Sequence, residues 1–155
     1  MSKYSIERSP GPLIRRNHQI GLAIFAKHFK EIDLTPLQFS ILWTLREEGE
    51  MDQVTLSQRV ALDRNTCSNI LGRLEKGGRI QRKTNPDNRR AKLVSLTAAG
   101  KTLINGAEKP MATVQKKLLA PLNAKEREFF LQCLVKLADS NNELSPAPMR
   151  YLPLK

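Results

Sequence analysis

Apolar residues recur at the spacing of an α-helix along most of this chain. Between Asp63 and Lys76 they occupy positions i, i+3, i+4 and i+7, and most of the remaining positions are polar. This pattern predicts an amphipathic helix that buries one side and exposes the other. The buried side is formed by Cys67, Ile70, Leu71 and Leu74. Gly77 and Gly78 come next and are expected to end the helix, because glycine readily takes a positive φ after the last turn.

Capping residues mark where the other helices begin. Thr35-Pro36-Leu37-Gln38 combines an N-cap, a proline at the first helical position and a glutamine suited to a capping box. Thr55-Leu56-Ser57-Gln58 has the spacing of a capping box and predicts a short helix as far as Leu62. Further helices are expected over Leu13 to Lys30, after Thr97 with a bend at Pro110, and after Asn123.

The period of the pattern shortens to that of a β-strand between Arg79 and Leu96. Two short, partly β-branched runs flank the sequence Asn85-Pro86-Asp87-Asn88, whose residue types favour chain reversal. This segment predicts a β-hairpin with one solvent-exposed face. Two helices joined by a short link and followed by such a hairpin form a winged helix-turn-helix, so the predicted fold class is mainly α with a small β wing.

In a winged helix-turn-helix, the second helix lies in the major groove of DNA and the wing reaches the backbone or the minor groove. The polar side of the helix over residues 63–76 carries amide, hydroxyl and guanidinium groups, which can read base edges. The candidate DNA-reading residues of this helix are Arg64, Asn65, Thr66, Ser68, Asn69 and Arg73. Arg89 and Arg90, at the tip of the hairpin, are the candidate wing contacts.

The net charge favours an anionic partner. The chain has 26 Lys and Arg residues against 15 Asp and Glu residues, a formal net charge of +11. Residues 63–92 hold nine of the basic residues and three of the acidic ones, so +6 of the excess lies in the helix and the hairpin. A phosphate-binding surface needs positive charge concentrated in one region in this way. The alternative interpretation is a solvated surface whose charge only confers solubility.

Length and composition exclude several classes of protein. At 155 residues with 40% hydrophobic residues, the chain is expected to form one domain with a substantial core. No apolar run approaches the ~20 residues needed to cross a membrane. Met1 to Pro12 is polar, so no signal peptide is expected either. These features predict a cytoplasmic protein without a disulfide framework.

Few residues suit catalysis or metal binding. The two histidines, His18 and His28, are spaced on one predicted helix so that they turn apart, and nucleophile-elbow and phosphate-loop glycine patterns are absent. We therefore expect no enzyme, no metal and no cofactor. Cys67 and Cys133 fall on apolar helical stripes and are expected to behave as small hydrophobes. The alternative is a redox sensor with a lowered pKa at Cys67, which lies near a helix start and basic residues.

Gln58 and three short segments carry a specific resemblance. The segments are Leu74-Glu75-Lys76-Gly77-Gly78-Arg79-Ile80-Gln81-Arg82, Asp87-Asn88-Arg89-Arg90 and Leu96-Thr97-Ala98-Ala99-Gly100. In these residues the chain resembles the MarR family of bacterial transcription regulators, and the order of elements matches from roughly Ile14 to Ala138. The resemblance implies that Arg89 enters the minor groove and that Asp87 orients basic side chains at the base of the wing.

The resemblance also implies a homodimer that binds a palindromic operator in double-stranded DNA. Independently, the terminal helices carry more apolar surface than a small winged helix can cover, which predicts a two-fold dimer. We expect a single domain, with dimerisation helices over 11–33 and 98–140 and the winged helix-turn-helix over 35–97. The candidate interface residues are Leu22, Phe25, Phe130, Leu134 and Leu137. The alternative is a monomer that folds its own termini back.

Residues 141–155 form the C-terminal tail. Pro146, Pro148 and Pro153 exclude a regular helix there. The tail is expected to be either disordered or an arm on the partner subunit, with contacts from Met149, Tyr151 and Leu152.

The first helix has a cationic end on an otherwise apolar seam. In the MarR family, small aromatic acids bind between the dimerisation helices and the DNA-binding lobe, so the resemblance implies an aromatic carboxylate effector here. Arg15 offers a bidentate fork to a carboxylate, His18 a donor, and Phe39 or Trp43 a ring for stacking. The alternative is that Arg15 and Arg16 pair with acidic groups or contact DNA phosphate, and that His18 is a hydrogen-bonded histidine of the dimer interface.

Two further segments indicate a subgroup. Leu13-Ile14-Arg15-Arg16-Asn17-His18-Gln19-Ile20 and Leu34-Thr35-Pro36-Leu37-Gln38-Phe39 resemble regulators of aromatic-acid catabolism, including hydroxynicotinate-responsive repressors. The predicted function is a sequence-specific transcriptional regulator, a repressor released from its operator by a small aromatic acid. The main alternative is a sequence-tolerant architectural or RNA-binding winged-helix protein, for which DNA affinity depends little on sequence.

Overall fold

The structure is a computed structural model and describes residues 5–150. It is mainly helical with one small antiparallel sheet, which confirms the predicted fold class. In chain order, the elements are a 3₁₀ turn Ile6–Arg8, α1 Pro10–His28, α2 Pro36–Glu48, β1 Met51–Asp52, α3 Gln53–Arg59, α4 Arg64–Lys76, β2 Ile80–Thr84, β3 Lys92–Leu96, α5 Ala98–Leu118, α6 Ala124–Ser140 and a 3₁₀ turn Asn142–Leu144. The expectations for Met1 to Tyr4, Tyr151, Leu152 and Pro153 lie outside the described residues.

Helix α2 lies at the centre of the hydrophobic core. Its Ile41 and Leu42 side chains are fully buried. The predicted capping box at its start is present, because the backbone N–H of Gln38 donates to Thr35 and the Gln38 side chain accepts from the Thr35 N–H. An aromatic cluster joins α1 to α2: the Phe25 and Phe29 rings stack at 3.9 Å, and Phe29 meets Phe39 edge-on at 5.8 Å. These contacts fix the position of α2 against α1.

The hairpin belongs to a three-stranded sheet in the order β1-β3-β2. Strands β2 and β3 pair antiparallel with Arg82 opposite Val94, as the hairpin prediction required. The sequence analysis missed β1, which pairs Met51 with Val94 and Asp52 with Leu93 on the other side of β3. A strand of two residues is too short to show a period of two. The sheet ties the wing to the segment that precedes α3.

Two predicted helix starts were wrong. Helix α1 begins at Pro10 rather than Leu13, because proline is well accommodated in the first turn of a helix. Helix α3 begins at Gln53 rather than after Thr55, and its N-cap is Asp52, which accepts from the N–H groups of residues 54 and 55 at 2.9 and 3.0 Å. The predicted capping box at Thr55 therefore does not form, because Asp52, three residues earlier, is the N-cap.

The start of α5 packs directly on the backbone that leaves α4. Thr97 caps α5 by accepting from the Gly100 N–H at 3.0 Å, and its own N–H donates to the carbonyl oxygen of Arg79 at 3.1 Å. A Cβ atom on Gly100 would lie 1.9 Å from that same carbonyl oxygen. Gly78, with a φ of +67°, turns the chain after α4, as glycine can do without strain. Thr97 and Gly100 thus hold together the end of α4, the start of β2 and α5.

Helix α6 contributes no buried residue to the single chain. It begins after Asn123 as predicted, with a capping box between Asn123 and Glu126. The residues predicted to face inward on α6 are at least partly exposed in the single chain; they are Phe130, Cys133, Leu134 and Leu137. An apolar helix face left open in this way needs a partner.

Part of the tail is folded onto its own chain. Residues 141–150, which we call the C-terminal strap, return to α3: the backbone N–H of Arg150 donates to the carbonyl oxygen of Gln58 at 3.0 Å. The disordered tail is therefore not what these residues form, and the arm on the partner subunit stays a prediction. Pro146 and Pro148 do prevent a regular helix, and their segment is a folded turn instead.

No helix within residues 5–150 combines the length and the apolarity that crossing a bilayer would take.

Candidate nucleic-acid interface and effector residues

Helix α4 presents the polar face predicted for a recognition helix. Asp63 caps it by accepting from the N–H groups of Asn65 and Thr66 at 3.0 Å, and the hydrogen bond from the Thr66 side chain lowers the pKa of this carboxyl group. The opposite face is buried as predicted, through Cys67, Ile70, Leu71 and Leu74. Of the candidate DNA-reading residues, four are exposed and two half-buried: Arg64, Asn65, Asn69 and Arg73, then Thr66 and Ser68.

The wing is shaped by asparagine side chains at its tip. Asn85 accepts from the Asp87 N–H at 2.9 Å, and Asn88 accepts from the Arg90 N–H at 3.1 Å. Such local side-chain bonds hold a turn in place of backbone pairing. Arg89 and Arg90 are exposed and have no acidic partner within residues 5–150. Their guanidinium groups are therefore available to an external anion.

The role that the resemblance implied for Asp87 is not seen. Its carboxylate forms no ion pair with any basic side chain in the described part of the chain. The residue that anchors the wing is instead Arg82, whose guanidinium donates to the Glu75 carboxylate of α4 at 3.0 and 2.5 Å. This bond lowers the pKa of Glu75 and raises that of Arg82. This ion pair holds the wing against the C-terminal end of α4. The sequence analysis did not predict it.

Most of the basic residues in this region are free of acidic partners. Of the nine cations over residues 63–92, Arg82 pairs with Glu75 and Lys83 pairs with Glu50, and the other seven have no ion pair within the described residues. A cleft of about 250 Å³ opens between α3, α4 and the wing. Its lining includes Arg64 of α4 and Arg90 and Lys92 of the wing. A concave surface with three converging cations suits a backbone phosphate.

Arg89→Ala should weaken operator binding by about 1–3 kcal/mol, roughly 5- to 150-fold, if this side chain enters a narrow minor groove. The expected loss is larger than for a phosphate contact because the narrow groove strengthens the negative potential. Fluorescence anisotropy on operator DNA measures it. Lys109→Ala, an exposed charge change in α5, is the matched control and should leave affinity nearly unchanged. Equal affinities for the two variants would remove Arg89 from the interface.

The four candidate effector residues do not meet within one protomer. Arg15 and His18 are exposed near the start of α1, and within residues 5–150 the side chain of Arg15 forms a hydrogen bond only to Gln19, at 3.3 Å. Phe39 is 8% exposed and touches Phe29, which lies about 20 Å of helical rise from Arg15. Arg15 thus lies well away from the turn of α1 that Phe39 contacts, so a site that used all four residues would have to span this length of α1 or draw on the partner subunit.

The stacking role predicted for the two aromatic residues also needs correction. Phe39 is a core residue packed on Phe29. The ring of Trp43 stacks on Phe39 at 5.4 Å, and the guanidinium carbon of Arg46 lies 3.6 Å from its centroid. Arg46 also bridges to Glu108 of α5 at 2.9 Å. The aromatic surface of Trp43 is thus already engaged, and a ligand would have to displace Arg46 to stack on it.

One polar atom in this part of the molecule was not anticipated. The Nε2 atom of His28, in the last turn of α1, is buried and has no hydrogen-bond partner within residues 5–150. Buried polar atoms are nearly always bonded, so such an atom is a place where a ligand or water can bind. No local pattern in the sequence separates this histidine from a satisfied one.

The candidate interface residues divide into two groups. Four of them are between 39% and 55% exposed in the single chain, which leaves their apolar side chains open to contact with a partner: Leu22, Phe130, Leu134 and Leu137. Phe25 is only 7% exposed, because it stacks on Phe29 inside its own chain. Phe25 is therefore corrected from an interface residue to a core residue.

Cys67 is not a reactive thiol. It is fully buried, and burial, with a smaller effect of the Asp63 charge, raises the pKa of its thiol to about 11. The alternative of a lowered pKa at this position was wrong, because the neighbouring cations lie on the solvent side of α4 while the thiol faces the core.

Cys67 should therefore resist thiol reagents in the folded protein at pH 8, where its thiolate population is small. Cys133 is partly exposed and serves as the internal comparison. Titration with an aromatic disulfide reagent should label both cysteines in denaturant and should leave Cys67 unlabelled in buffer. Rapid labelling of Cys67 in the folded protein, located by mass spectrometry, would contradict the burial described here.

Known proteins with similar sequences and structures are transcription regulators. The sequence model of the MarR family matches residues 34–92. The HTH-type transcriptional repressor NicR of Pseudomonas putida is 31% identical over 138 residues, covering 89% of this chain and 87% of NicR. BpsR of Bordetella bronchiseptica, whose DNA binding is regulated by 6-hydroxynicotinic acid, superposes with a TM-score of 0.85 at 28% identity, over 89% of this chain and 99% of that one.

Two more solved structures extend the comparison. PcaV of Streptomyces coelicolor, in complex with its natural ligand, has a TM-score of 0.81 at 28% identity, over 90% of this chain and 98% of PcaV. A MarR variant from Escherichia coli bound to operator DNA has a TM-score of 0.78 at 25% identity, over 82% of this chain and 91% of MarR. From the winged helix-turn-helix, the basic surface and these relatives together, the chain belongs to the MarR family of transcriptional regulators.

Proposed function

We propose that this protein is a homodimeric repressor that binds a palindromic operator and is released from it by a small aromatic carboxylate. The observation that carries this proposal is the recognition surface, in which the exposed polar face of α4 lies beside a wing whose Arg89 and Arg90 have no acidic partner in the described chain. That combination supplies base-reading groups and phosphate-binding groups on one side of the molecule.

The DNA-reading residues act in two ways in this proposal. Arg64, Asn65, Thr66, Ser68, Asn69 and Arg73 face the major groove, where guanidinium and amide groups discriminate between base edges. Arg89 inserts into the adjacent minor groove, and Arg90 and Lys92 neutralise phosphate at the mouth of the cleft described above. Base contacts give specificity and phosphate contacts give affinity.

The dimer interface in this proposal is formed by α1, α5 and α6. The exposed residues Leu22, Phe130, Leu134 and Leu137 form its apolar part. A two-fold dimer presents two recognition helices to half-sites one helical turn apart, which matches a palindrome.

The effector is proposed to bind where α1 meets the partner subunit. Within one protomer Arg15 and His18 are exposed, and neither Arg15 nor Arg16 has an acidic partner among the described residues. A site that uses them needs walls from elsewhere, and the partner subunit supplies them. BpsR, whose DNA binding is regulated by 6-hydroxynicotinic acid, supports a hydroxylated pyridine carboxylate as the effector class.

Saturating 6-hydroxynicotinate should lower operator affinity roughly 5- to 150-fold, the usual range of allosteric coupling. Release occurs only if the effector prefers the conformation whose recognition helices no longer match the two half-sites. Arg15→Ala should keep DNA affinity and lose the response, as measured by anisotropy titrations with and without effector. Benzoate, which lacks the ring nitrogen and hydroxyl group, tests the chemistry of the ring.

Arg16→Ala is the matched control, because it removes a neighbouring exposed cation on α1. It should leave both DNA affinity and the effector response intact. If Arg15→Ala and His18→Ala both reduce DNA affinity and leave the response unchanged, these residues contact phosphate and the effector binds elsewhere, with His28 as the next position to test.

A further inference from the structure

The C-terminal strap joins the last helix to the first helix of the helix-turn-helix. Beyond the end of α6, the strap crosses to α3, where two bonds hold Arg150 by its backbone. Its N–H donates to the Gln58 carbonyl oxygen at 3.0 Å, and its carbonyl oxygen accepts from Nη1 of Arg59 at 2.7 Å. One of these bonds is between backbone groups and the other comes from a side chain, and together they satisfy both backbone polar groups of Arg150.

The strap is closed on itself by contacts between its two ends. The Oδ1 atom of Asn142 accepts from the Met149 N–H at 2.8 Å, and its Nδ2 atom donates to the Met149 carbonyl oxygen at 3.0 Å. Glu143 and Arg150 form an ion pair alongside, which lowers the pKa of Glu143. Because the Asn142 amide uses both of its polar atoms on one residue, it fixes the two ends of the strap relative to each other.

The receiving end of the strap is also fixed. The side chain of Arg59 is only 6% exposed and forms an ion pair at 2.9 Å with Glu48, the last residue of α2. A guanidinium that is held by a carboxylate in a largely buried position loses little further freedom when it binds the strap. Arg150 therefore docks on a group that the core has already placed.

The DNA-reading unit already contacts α5 at Thr97 and through the bridge from Arg46 of α2 to Glu108 of α5. None of these contacts holds α3 to α6, and the strap supplies that connection. A connection at a separate point restricts rotation of α3 against α6. We infer that the strap is a positioning element for DNA binding: it holds α3, and through α3 the recognition helix α4, at a fixed orientation to α6. This inference rests on the proposed function, because the orientation matters for DNA when two such units read one operator.

The test is Asn142→Ala, which removes both bonds to Met149 and leaves α3, α4 and the wing untouched. Ser145→Ala is the matched control, since Ser145 accepts only from the Ala147 N–H within the strap, at 3.1 Å. Hydrogen exchange over residues 53–62 and 142–150 reports docking of the strap without DNA. Anisotropy on operators whose half-site spacing is one base pair longer or shorter reports the orientation of the two recognition helices.

In Asn142→Ala, exchange at the Arg150 amide should be roughly tenfold faster, the scale expected for one or two lost hydrogen bonds. The preference for the best half-site spacing should fall roughly 2- to 30-fold, the scale on which such positions modulate coupling. Ser145→Ala should match the unmodified protein in both measurements. If the strap only stabilised the fold, Asn142→Ala would lower the free energy of unfolding and leave the preference for half-site spacing unchanged.

A released strap with an unchanged spacing preference would overturn the inference. So would an Arg150 amide that already exchanges freely in the unmodified protein. Should Asn142→Ala leave exchange unaltered, Arg150→Pro removes the donor to Gln58 directly, and an unaltered spacing profile in that variant is equally contradictory. A protein that binds no DNA specifically overturns the proposed function and the role of the strap in DNA binding, while exchange still reports whether the strap docks.

Discussion

Gly100→Ala is expected to destabilise the folded protein by about 3 kcal/mol or more, the upper end for overpacking. The added Cβ would lie 1.9 Å from the Arg79 carbonyl oxygen and 2.9 Å from its carbonyl carbon. Both atoms belong to the backbone between α4 and β2, and the Thr97 N–H is bonded to the same oxygen. Relief of the clash would separate the wing from α5. Urea unfolding at a fixed protein concentration measures the change.

Gly106→Ala provides the matched control in the same helix. A Cβ at Gly106 meets no atom within 4 Å in the single chain, so this substitution should stabilise the protein by about 0.5–1 kcal/mol through a better helix propensity. Opposite signs for the two glycines are the expected result. A neutral Gly100→Ala would mean that α5 and the wing are not packed as described.

Leu134→Glu should abolish dimerisation and, with it, tight operator binding. Leu134 is 39% exposed in the single chain, so a carboxylate there can stay hydrated in the monomer but would be buried unpaired in the proposed interface. One winged helix alone contacts a single half-site and loses the avidity of two linked readers. Sedimentation velocity and anisotropy on operator DNA measure the two effects.

Gln132→Glu introduces the same charge on α6, about 160° around the helix from Leu134. It should remain dimeric and bind DNA with nearly normal affinity. A dimeric Leu134→Glu protein, or an unmodified protein that sediments as a folded monomer, would contradict the proposed interface.

Local signals in the sequence predicted most of the fold. Capping residues such as Thr35 and Asn123 mark where a helix starts. The spacing of Cys67, Ile70, Leu71 and Leu74 indicates which side of α4 is buried. Each of these signals lies within one or two helical turns of the chain. Asp52 was missed as the N-cap of α3 because Thr55 and Gln58, three residues apart, have the spacing of a capping box and suggested a later start. The strand β1 has two residues, and its identity comes from pairing with β3, which no local pattern encodes.

The candidate sites show the same division. The DNA-reading face could be predicted because it is the polar side of one helix and the tip of one hairpin. The effector residues could not be predicted in the same way, because they come from different helices and no local pattern gives their distance. In the single chain Arg15 is exposed on α1, whereas Phe39 is buried in the core. The strap contact joins Arg59 to a residue 91 positions later, and nothing near either residue in the sequence indicates the other.

Selection of bound DNA from a random pool, followed by titration of the selected and a scrambled sequence at one salt concentration, tests the central claim most directly. A sequence-specific dimeric regulator should enrich a palindrome with half-sites about one helical turn apart and bind it about 10³-fold or more tightly than the scrambled sequence. An architectural protein would enrich no motif and bind both sequences alike, with the same dependence on salt. Equal affinity for the two sequences would contradict the account.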